Sequence, residues 1–272
     1  MIKYAVKEDF ERLKELWHNC FNDSYAFLDV FFNERFEKAL IFEKDNKIIS
    51  SLNLLKCKTV IDEKEYNSLY IYAACTDYLY RNQGFMGQLI EYLKKNCECD
   101  FLTLVPANEF LFDYYRKFGF VTFFKNQIFN PKIKEQSPKK ISEATADEIL
   151  DIREKALKNE AHIKWDKNAV LYVLKGNSCV LRCGNSYIIV YEDEKNVTVV
   201  EAVGSNEDLS ILLTPLYNGD KPCKVNCLYS MDNLSDKAEK FVDKAMIFPL
   251  NAKSENAMLS YKGNAYFGLT LE

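Results

Sequence analysis

The sequence of 272 residues predicts a mixed α/β (α+β) fold, in which a sheet is flanked by helices and the whole arrangement occurs twice. Three observations predict it. Runs typical of strands alternate with amphipathic helical runs. Residues 69–76 are apolar on both faces, as a central buried strand is. Near Ile141 the same order of elements begins again, which favours a diverged tandem repeat.

The first half is predicted to begin with a strand over 2–6 and a helix with Phe10, Leu13, Leu16 and Trp17 on one face. The elements predicted after them are an aromatic helix over 24–37, strands over 39–43 and 47–56 joined by a turn at Asp45-Asn46, the buried strand over 69–76, a helix that starts near 85, a strand over 101–106 and a helix over 110–118 that ends at Gly119.

A shift in composition separates the two halves. Residues 130–140 contain two prolines and four lysines with few apolar side chains. We therefore predict a first domain over 1–130, a linker over 131–140 and a second domain over 141–272.

The second half begins with Thr145-x-x-Glu148, which has the spacing of a capping box and predicts the start of a helix. The offset that aligns this helix with the first helix of the chain also lays Asn185 on Asn46, each in a turn between two predicted strands. The strands and the helix predicted in this half cover 178–183, 186–192, 197–203 and 206–217.

Composition and charge exclude some classes of function. Hydrophobic residues make up 48% of the chain and charged residues 28%, with a net charge of −4. A surface without excess positive charge argues against nucleic acid as the main partner. The first residues hold no signal-peptide core, and no apolar run approaches the roughly 18 residues that cross a membrane. We therefore expect a cytoplasmic protein with nine reduced cysteines and no bound metal.

The stretch LYRNQGFMGQL, residues 79–89, places two glycines between the buried strand and the next helix. The first N–H groups of a helix have no partner within it and the helix dipole adds positive charge there, so such a turn can bind an anion. Two well-known phosphate loops do not fit, because Gln88 rather than Lys follows Gly87, and Asn rather than Gly stands at 82. Taken alone, the glycines predict a simple strand-to-helix turn equally well.

Three features of the first half follow one another in a specific order. They are the stretch Arg81-Asn82-Gln83-Gly84-Phe85-Met86 with Gly87 one place late, Asn108 after the next strand, and Tyr115 four residues before Gly119. The first resembles the Arg/Gln-x-x-Gly-x-Gly/Ala motif of the GCN5-related N-acetyltransferases (GNAT), and the other two are similar to a polar and a tyrosine position of that family. The resemblance covers residues 1–130 and implies a central mixed, mostly antiparallel sheet flanked by helices.

The second half resembles a degenerate copy of the same fold. Its corresponding turn, residues 204–208, carries Glu207 and Asp208, which would repel a pyrophosphate. The whole chain resembles tandem acetyltransferases of the enhanced-intracellular-survival type, without the sterol-carrier-like domain that follows their second copy. The resemblance therefore implies one active copy and one silent copy.

The resemblance implies an acetyl-CoA-dependent N-acetyltransferase that transfers the acetyl group directly to an amine on a small molecule or peptide. Tyr115 would protonate the departing coenzyme A thiolate. The N–H groups of residues 82–87 would hold the pyrophosphate, and the strand end at 74–76 would pair with the pantetheine. Met86 stands where the family usually has Gly or Ala, which implies a less close approach of the backbone. The residues assigned to acetyl-CoA in this way are Ala74, Cys75, Thr76, Arg81, Asn82, Gln83, Gly84, Phe85, Met86, Gly87 and Asn108.

The same residues also have structural interpretations: Asn108 as a helix N-cap, Tyr115 as a core aromatic and Arg81 as a surface arginine. Two other functions stay open, a non-catalytic acyl-CoA-binding or sensory module and an enzyme whose second half docks a protein target. The acceptor pocket is expected from the helix over 24–37 and a loop over 57–67. The sequence does not select a general base among Glu34, Asp77, Glu109 and Glu272.

Overall fold

The structure is a computed structural model that describes residues 1–129, 139–176, 179–192, 197–216, 223–227 and 240–269. The strands in these ranges are, in chain order, β1 (Ile2–Tyr4), β2 (Lys38–Lys44), β3 (Lys47–Ile61), β4 (Lys64–Thr76), β5 (Phe101–Leu104), β6 (Val121–Phe129), β7 (Ser142–Glu143), β8 (Ala161–Lys164), β9 (Cys179–Cys183), β10 (Ser186–Glu192), β11 (Val197–Val203), β12 (Cys223–Cys227), β13 (Lys240–Pro249) and β14 (Ala265–Tyr266). The α-helices are α1 (Phe10–Phe21), α2 (Tyr25–Val30), α3 (Phe85–Asn96), α4 (Glu109–Arg116), α5 (Ala146–Ala156), α6 (Lys167–Gly176), α7 (Asn206–Leu213) and α8 (Ala252–Ser260).

The chain forms two compact units that are interleaved along the sequence. Unit 1 consists of Met1–Thr59, Tyr66–Thr122 and Met246–Ser260, and unit 2 consists of Val60–Glu65, Phe123–Ala245 and Tyr261–Glu272. Each unit contains segments from both halves of the sequence. The predicted division into 1–130 and 141–272 assigns each half to a single domain and so does not include these exchanged segments. Most of the predicted linker over 131–140 lies outside the described residues.

The sheet of unit 1 has the strand order β1-β2-β3-β4-β5-β13. The β1–β2, β2–β3 and β5–β13 pairs are antiparallel, and β4 and β5 run parallel. One face packs against α3 and α4 through an apolar cluster that includes Leu52, Ile90 and Leu102. On the other face, Trp17 of α1 contacts Tyr72 of β4, with ring centroids 5.4 Å apart. The predicted mixed sheet flanked by helices is confirmed.

Most predicted elements of unit 1 are present. Helix α1 buries the expected apolar face. The aromatic helix predicted over 24–37 is α2, followed by a π-helical turn over Phe31–Arg35. Asp45 and Asn46 have φ angles of 50° and 59° and form the tight turn between β2 and β3.

The prediction of a loop over 57–67 is wrong. Strands β3 and β4 continue through this region, and only residues 62–63 lie between them. Cys57 and Thr59 are buried while Lys58 is exposed, which is the alternation of a half-buried strand. The charged side chains at alternate positions gave the region the composition of a loop, although their spacing is that of a strand.

Each half of the chain contributes one strand to the unit built mainly from the other half. Residues 246–249 of β13 pair antiparallel with residues 101–104 of β5 in unit 1. Residues 127–129 of β6 pair antiparallel with residues 225–227 of β12 in unit 2. The sequence analysis did not assign β13, and so it did not anticipate this exchange.

The sheet of unit 2 repeats the succession of pairings seen in unit 1. The β7–β9, β9–β10 and β10–β11 pairs are antiparallel and β11–β12 is parallel. Strands β9, β10 and β11 confirm the strands predicted here, and the predicted capping box is formed between Thr145 and Glu148. Strands β8 and β14 and helices α6 and α8 are further elements that the sequence analysis did not assign.

Candidate active site

Strand β4 has an irregular backbone near its end. Ala73 has a φ of 47°, a left-handed conformation that is uncommon for a residue other than glycine. The register between β4 and β5 ends at Ile71, whereas β4 continues to Thr76. On the side of β3 the strand end is held, because Ser50 Oγ donates a hydrogen bond of 3.1 Å to the carbonyl of Cys75. The last residues of β4 therefore extend past β5, with an edge that an extended ligand can pair with.

The loop after β4 leads into a helix start that suits an anion. Asn82 and Gly84 have φ angles of 62° and 82°, and Gly84 is the N-cap of α3. In the described part of the chain, no side chain caps this end, and the first turn holds no acidic residue. A Cβ built on Gly84 would meet no atom within 4 Å, so the space outside the loop is open. The first N–H groups of α3 are thus available to a phosphate.

The two residues after Gly84 direct their side chains toward the protein, and the next one is a buried glycine. The Phe85 ring lies 4.7 Å from that of Phe42, and Met86 packs against the apolar cluster of unit 1. Gly87 is buried, and a Cβ on it would lie 2.9 Å from the Phe118 ring. The absence of a side chain at Gly87 therefore serves a packing contact with Phe118. What these residues can offer a ligand is their backbone N–H groups.

Arg81 ties the loop to the end of β4. Its Nε donates a hydrogen bond of 3.1 Å to the carbonyl of Thr76, and one Nη lies 3.7 Å from Cys20 Sγ. In the same loop, Gln83 Nε2 donates to the carbonyl of Leu79 at 3.2 Å. The guanidinium therefore places its charge beside the end of β4. A contact of Arg81 with the cofactor stays a prediction.

Asn108 is the N-cap of α4. Its Oδ1 accepts a hydrogen bond of 3.2 Å from the N–H of Leu111, which satisfies one donor of the first helical turn. Asn108 thus has the helix N-cap role that the sequence allowed for it. Its side chain is exposed, and the amide nitrogen is not used in the cap, so the contact with pantetheine stays a prediction.

Tyr115 lies in the interior of unit 1 with 7% of its surface exposed. Burial raises the pKa of its phenol, and the nearby Tyr114 and Cys75 side chains raise it further. The hydroxyl is therefore a neutral proton donor that interacts electrostatically with the end of β4. The ring centroid of the neighbouring Tyr114 lies 5.3 Å from that of Tyr115, and the two rings are in edge contact.

Two contributors to this region were missed by the sequence analysis. The left-handed conformation of Ala73 has no signal in the sequence, since alanine is an ordinary strand residue. Cys20 lies in the last turn of α1, and its Sγ is 3.5 Å from the carbonyl oxygen of Thr76. A single cysteine in a helix indicates nothing by itself, and its contact depends on how α1 packs on β4.

Residues 1–123 match the family model of the acetyltransferase (GNAT) domain. This region is a GNAT acetyltransferase domain. The match confirms the family predicted from the Arg81 to Gly87 stretch, Asn108 and Tyr115. A comparison with curated proteins found no match.

Several solved structures share the fold of the chain. A GCN5-related N-acetyltransferase from Anabaena variabilis has a TM-score of 0.76 and 15% identity, over 93% of this chain and 74% of that one. Eis1 from Mycobacterium abscessus has a TM-score of 0.69 and 12% identity, over 93% and 75%. A conserved protein from Enterococcus faecalis V583 has a TM-score of 0.76 and 13% identity, over 93% and 73%. The likeness to the enhanced-intracellular-survival type is confirmed at the level of the fold.

Across the described ranges, no group of three or more His, Cys, Asp or Glu side chains is arranged to hold a metal ion. None of the helices described is both long enough and apolar enough to span a bilayer.

Proposed function

We propose that the GNAT domain transfers an acetyl group from acetyl-CoA directly to an amine. The observation that carries this proposal is the open, acid-free start of α3 next to the extended edge of β4. The first feature suits a pyrophosphate, and the second suits the amide groups of a pantetheine arm. One ligand with both groups, joined in this order, is coenzyme A.

The residues of the chain would divide the work of binding between them. The N–H groups of residues 82–87 would hold the pyrophosphate, and Arg81 would supply a positive charge beside it. Ala74, Cys75 and Thr76 would pair with the pantetheine as an added strand does. The amide nitrogen of Asn108, which the N-cap does not use, would add one hydrogen bond.

Acyl transfer would proceed by attack of the amine nitrogen on the thioester carbonyl. The carbon–nitrogen bond forms and the carbon–sulfur bond breaks, so the oxygen carries negative charge between the two steps. A backbone N–H at the end of β4 would stabilise that charge. Tyr115 would then give its proton to the coenzyme A thiolate, and its buried phenol is in the neutral state that this step needs. The proton that the nitrogen loses as the amide forms would pass to water, from which Tyr115 would regain its own.

A covalent acyl-enzyme on Cys75 is a poorer explanation. Cys75 is 5% exposed, and its interaction with the Cys20 thiolate and its burial raise the pKa of its thiol. A protonated, buried thiol is a weak nucleophile. Direct transfer to the acceptor needs no such intermediate.

The acceptor would be an amine on a small molecule or a peptide, and the net charge of −4 favours a cationic one. Seven cysteines are free thiols, which suits the cytoplasm; they are Cys20, Cys57, Cys75, Cys97, Cys99, Cys179 and Cys183. The repeated succession of pairings in unit 2 supports descent from a tandem duplication, with the second copy silent.

The test combines binding with turnover. Calorimetry with acetyl-CoA alone measures binding, and thiol release from acetyl-CoA over a panel of polyamines, amino sugars and peptide amines measures transfer. Amine-dependent release supports the enzyme. Binding without release on any amine would favour the non-catalytic acyl-CoA-binding module instead.

A further inference from the structure

Two cysteines from distant parts of the sequence meet at the end of β4. Cys20 lies in the last turn of α1, and its Sγ is 3.5 Å from the carbonyl of Thr76. That carbonyl belongs to the residue that follows Cys75, and the two thiols are close enough to shift each other's pKa. Cys75 Sγ is also 3.3 Å from Ser51 Oγ. Cys20 is half-buried and Cys75 is buried. Both thiols therefore lie at the end of β4, and Cys20 is within reach of a small oxidant.

The surroundings of Cys20 favour its thiolate. The hydrogen bond from Cys75 lowers the pKa of Cys20 to about 6, and Arg81, with an Nη 3.7 Å from the sulfur, acts in the same direction. Burial and the Asp77 carboxylate oppose these effects, as does the C-terminal end of α1. The pKa of Cys75 is raised, so it stays a thiol. The pair thus combines a reactive thiolate with a protonated partner, as in cysteines that sense oxidants.

We propose that Cys20 and Cys75 form a peroxide-oxidisable pair, and that their disulfide weakens acyl-CoA binding at the adjoining strand end. In the first step the Cys20 thiolate attacks hydrogen peroxide, which gives a sulfenic acid and hydroxide. In the second step the hydroxide takes the proton of Cys75 and becomes water. The Cys75 thiolate then attacks the sulfenic sulfur, the disulfide forms, and hydroxide leaves. Peroxide is reduced and the two thiols are oxidised, so no other reactant is required.

The effect on binding follows from the neighbours of the pair and rests on the proposed function. A disulfide brings two sulfurs to about 2.05 Å, which draws the Cys75 side chain from Ser51 and shifts the strand end proposed to pair with pantetheine. Oxidation also removes the negative charge that Arg81 contacts. Both changes disturb the residues assigned to acetyl-CoA.

The chain supplies its own control for general thiol oxidation. Cys97 and Cys99 have their sulfurs 3.6 Å apart, beyond the end of α3 and in the same unit. This pair lies between α3 and β5, at the opposite end of α3 from the loop over 77–84. A Cys97→Ser, Cys99→Ser double variant should therefore keep the response to peroxide.

The experiment treats the full chain with hydrogen peroxide and maps disulfides by mass spectrometry without reduction. Acetyl-CoA affinity is measured by calorimetry on reduced, oxidised and dithiothreitol-treated protein, since its thioester offers no thiol for exchange. We expect a Cys20–Cys75 link, roughly tenfold weaker binding after oxidation, and recovery with dithiothreitol. The Cys20→Ser variant should bind like the reduced protein before and after peroxide.

The outcomes separate the two proposals. Absence of the link in peroxide-treated protein would overturn the redox pair, even if acetyl-CoA binds and is turned over. A link without loss of affinity would overturn the effect on binding. A link in a protein that binds acetyl-CoA in neither state would leave the oxidisable pair established, while the proposed function and the effect on binding would fail.

Discussion

Tyr115 is the residue on which the catalytic step depends. Replacing it with Phe removes one oxygen from a buried ring, so folding and acetyl-CoA affinity should be nearly unchanged. Loss of the proton donor should lower kcat by roughly 10²–10⁴-fold, measured by thiol release at saturating substrates. Because burial raises the pKa of this phenol, the wild-type enzyme should show no loss of kcat from its ionisation below about pH 10.

Tyr114→Phe is the matched control for that experiment. Tyr114 is half-buried and contacts the Tyr115 ring, but the contact is made by the ring and is kept in Phe. Its turnover should stay close to that of the wild type. Full turnover in Tyr115→Phe as well would assign Tyr115 to core packing, and another group would have to protonate the thiolate.

Gly84 tests the loop in the same way. Gly84→Glu puts a negative charge where the pyrophosphate is proposed to lie, and acetyl-CoA binding should be lost in calorimetry. Gly84→Ala is the control. Both variants place a side chain at a φ of 82°, which costs each of them roughly 1–2 kcal/mol of backbone strain, and the methyl group of Ala meets no atom within 4 Å. We expect the Ala variant to bind and the Glu variant not to. Equal affinities in the two variants would end the assignment of the loop.

The place of Gly84 at the start of α3 and that of Tyr115 in α4 could be predicted from the sequence, because both depend on spacing along one segment. Ala73 could not, since its left-handed backbone is a conformation that alanine does not specify. The contact of Cys20 with Arg81 could not either, because it joins residues 61 positions apart through the packing of α1. Local signals reach a few residues along the chain, and these features depend on tertiary structure.

Among the elements, α4 is the one whose N-cap is also assigned to the cofactor. Asn108→Ala removes both the cap and the amide, and should lower the free energy of unfolding by about 0.5–2 kcal/mol. Asn108→Ser keeps a capping oxygen without the amide nitrogen, so its stability in urea should be close to that of the wild type. If the amide donates to pantetheine, both variants should bind acetyl-CoA roughly three- to tenfold more weakly.

The two variants distinguish the interpretations of Asn108 cleanly. A Ser variant with wild-type affinity would show that this residue is a cap and nothing more. A Ser variant with wild-type stability and weakened binding would assign the amide to the cofactor. An unstable Ser variant would mean that the side chain has a structural contact beyond the cap.

Helices and strands with a clear period could be predicted from the sequence, and β13 could not. Helix α1 and strands β9 to β11 each bury one face or both, which fixes a period that a sequence shows. Strand β13 was left unassigned, and its partner is β5, far away in sequence. A strand has the same apolar pattern whether its partner is near or far in the sequence. The pattern therefore does not reveal an exchange of strands between the two halves.

At the scale of a whole unit, the core of unit 2 holds a buried ion pair. Arg153 and Glu201 are both 0% exposed, with Nε 3.3 Å from Oε1, and Tyr187 donates a hydrogen bond of 2.6 Å to Glu201. Arg153→Met leaves the carboxylate buried without its cation and should lower the free energy of unfolding by about 3–5 kcal/mol.

The control for Arg153→Met lies on the same helix. Lys155 forms an exposed pair with Asp151 at 2.6 Å, so Lys155→Met should change stability by less than about 0.5 kcal/mol. Urea denaturation of the full chain measures both. Similar losses in the two variants would mean that burial of the Arg153 pair has no special weight in the stability of unit 2.

The number of acetyl-CoA molecules bound per chain tests the division into an active and a silent copy. The start of α7 has the same place in the order of elements as the start of α3, but side chains of the protein itself lie at this helix start. Ser205 caps this helix, and Glu207 and Asp208 lie in its first turn. A Cβ on Gly204 would come within 2.0 Å of Ser186, so this glycine serves a packing contact and opens no space for a phosphate.

We therefore expect calorimetry to give one acetyl-CoA per chain, and Gly84→Glu to remove all binding. The double variant Glu207→Gln, Asp208→Asn is the converse test, since it takes two negative charges from the start of α7. It should still bind a single molecule, because Ser205 and Ser186 continue to occupy the site. A stoichiometry of two in the wild type, or residual binding in Gly84→Glu, would place a second working site in unit 2. The duplicated fold would then serve two cofactors, and the second copy would not be silent.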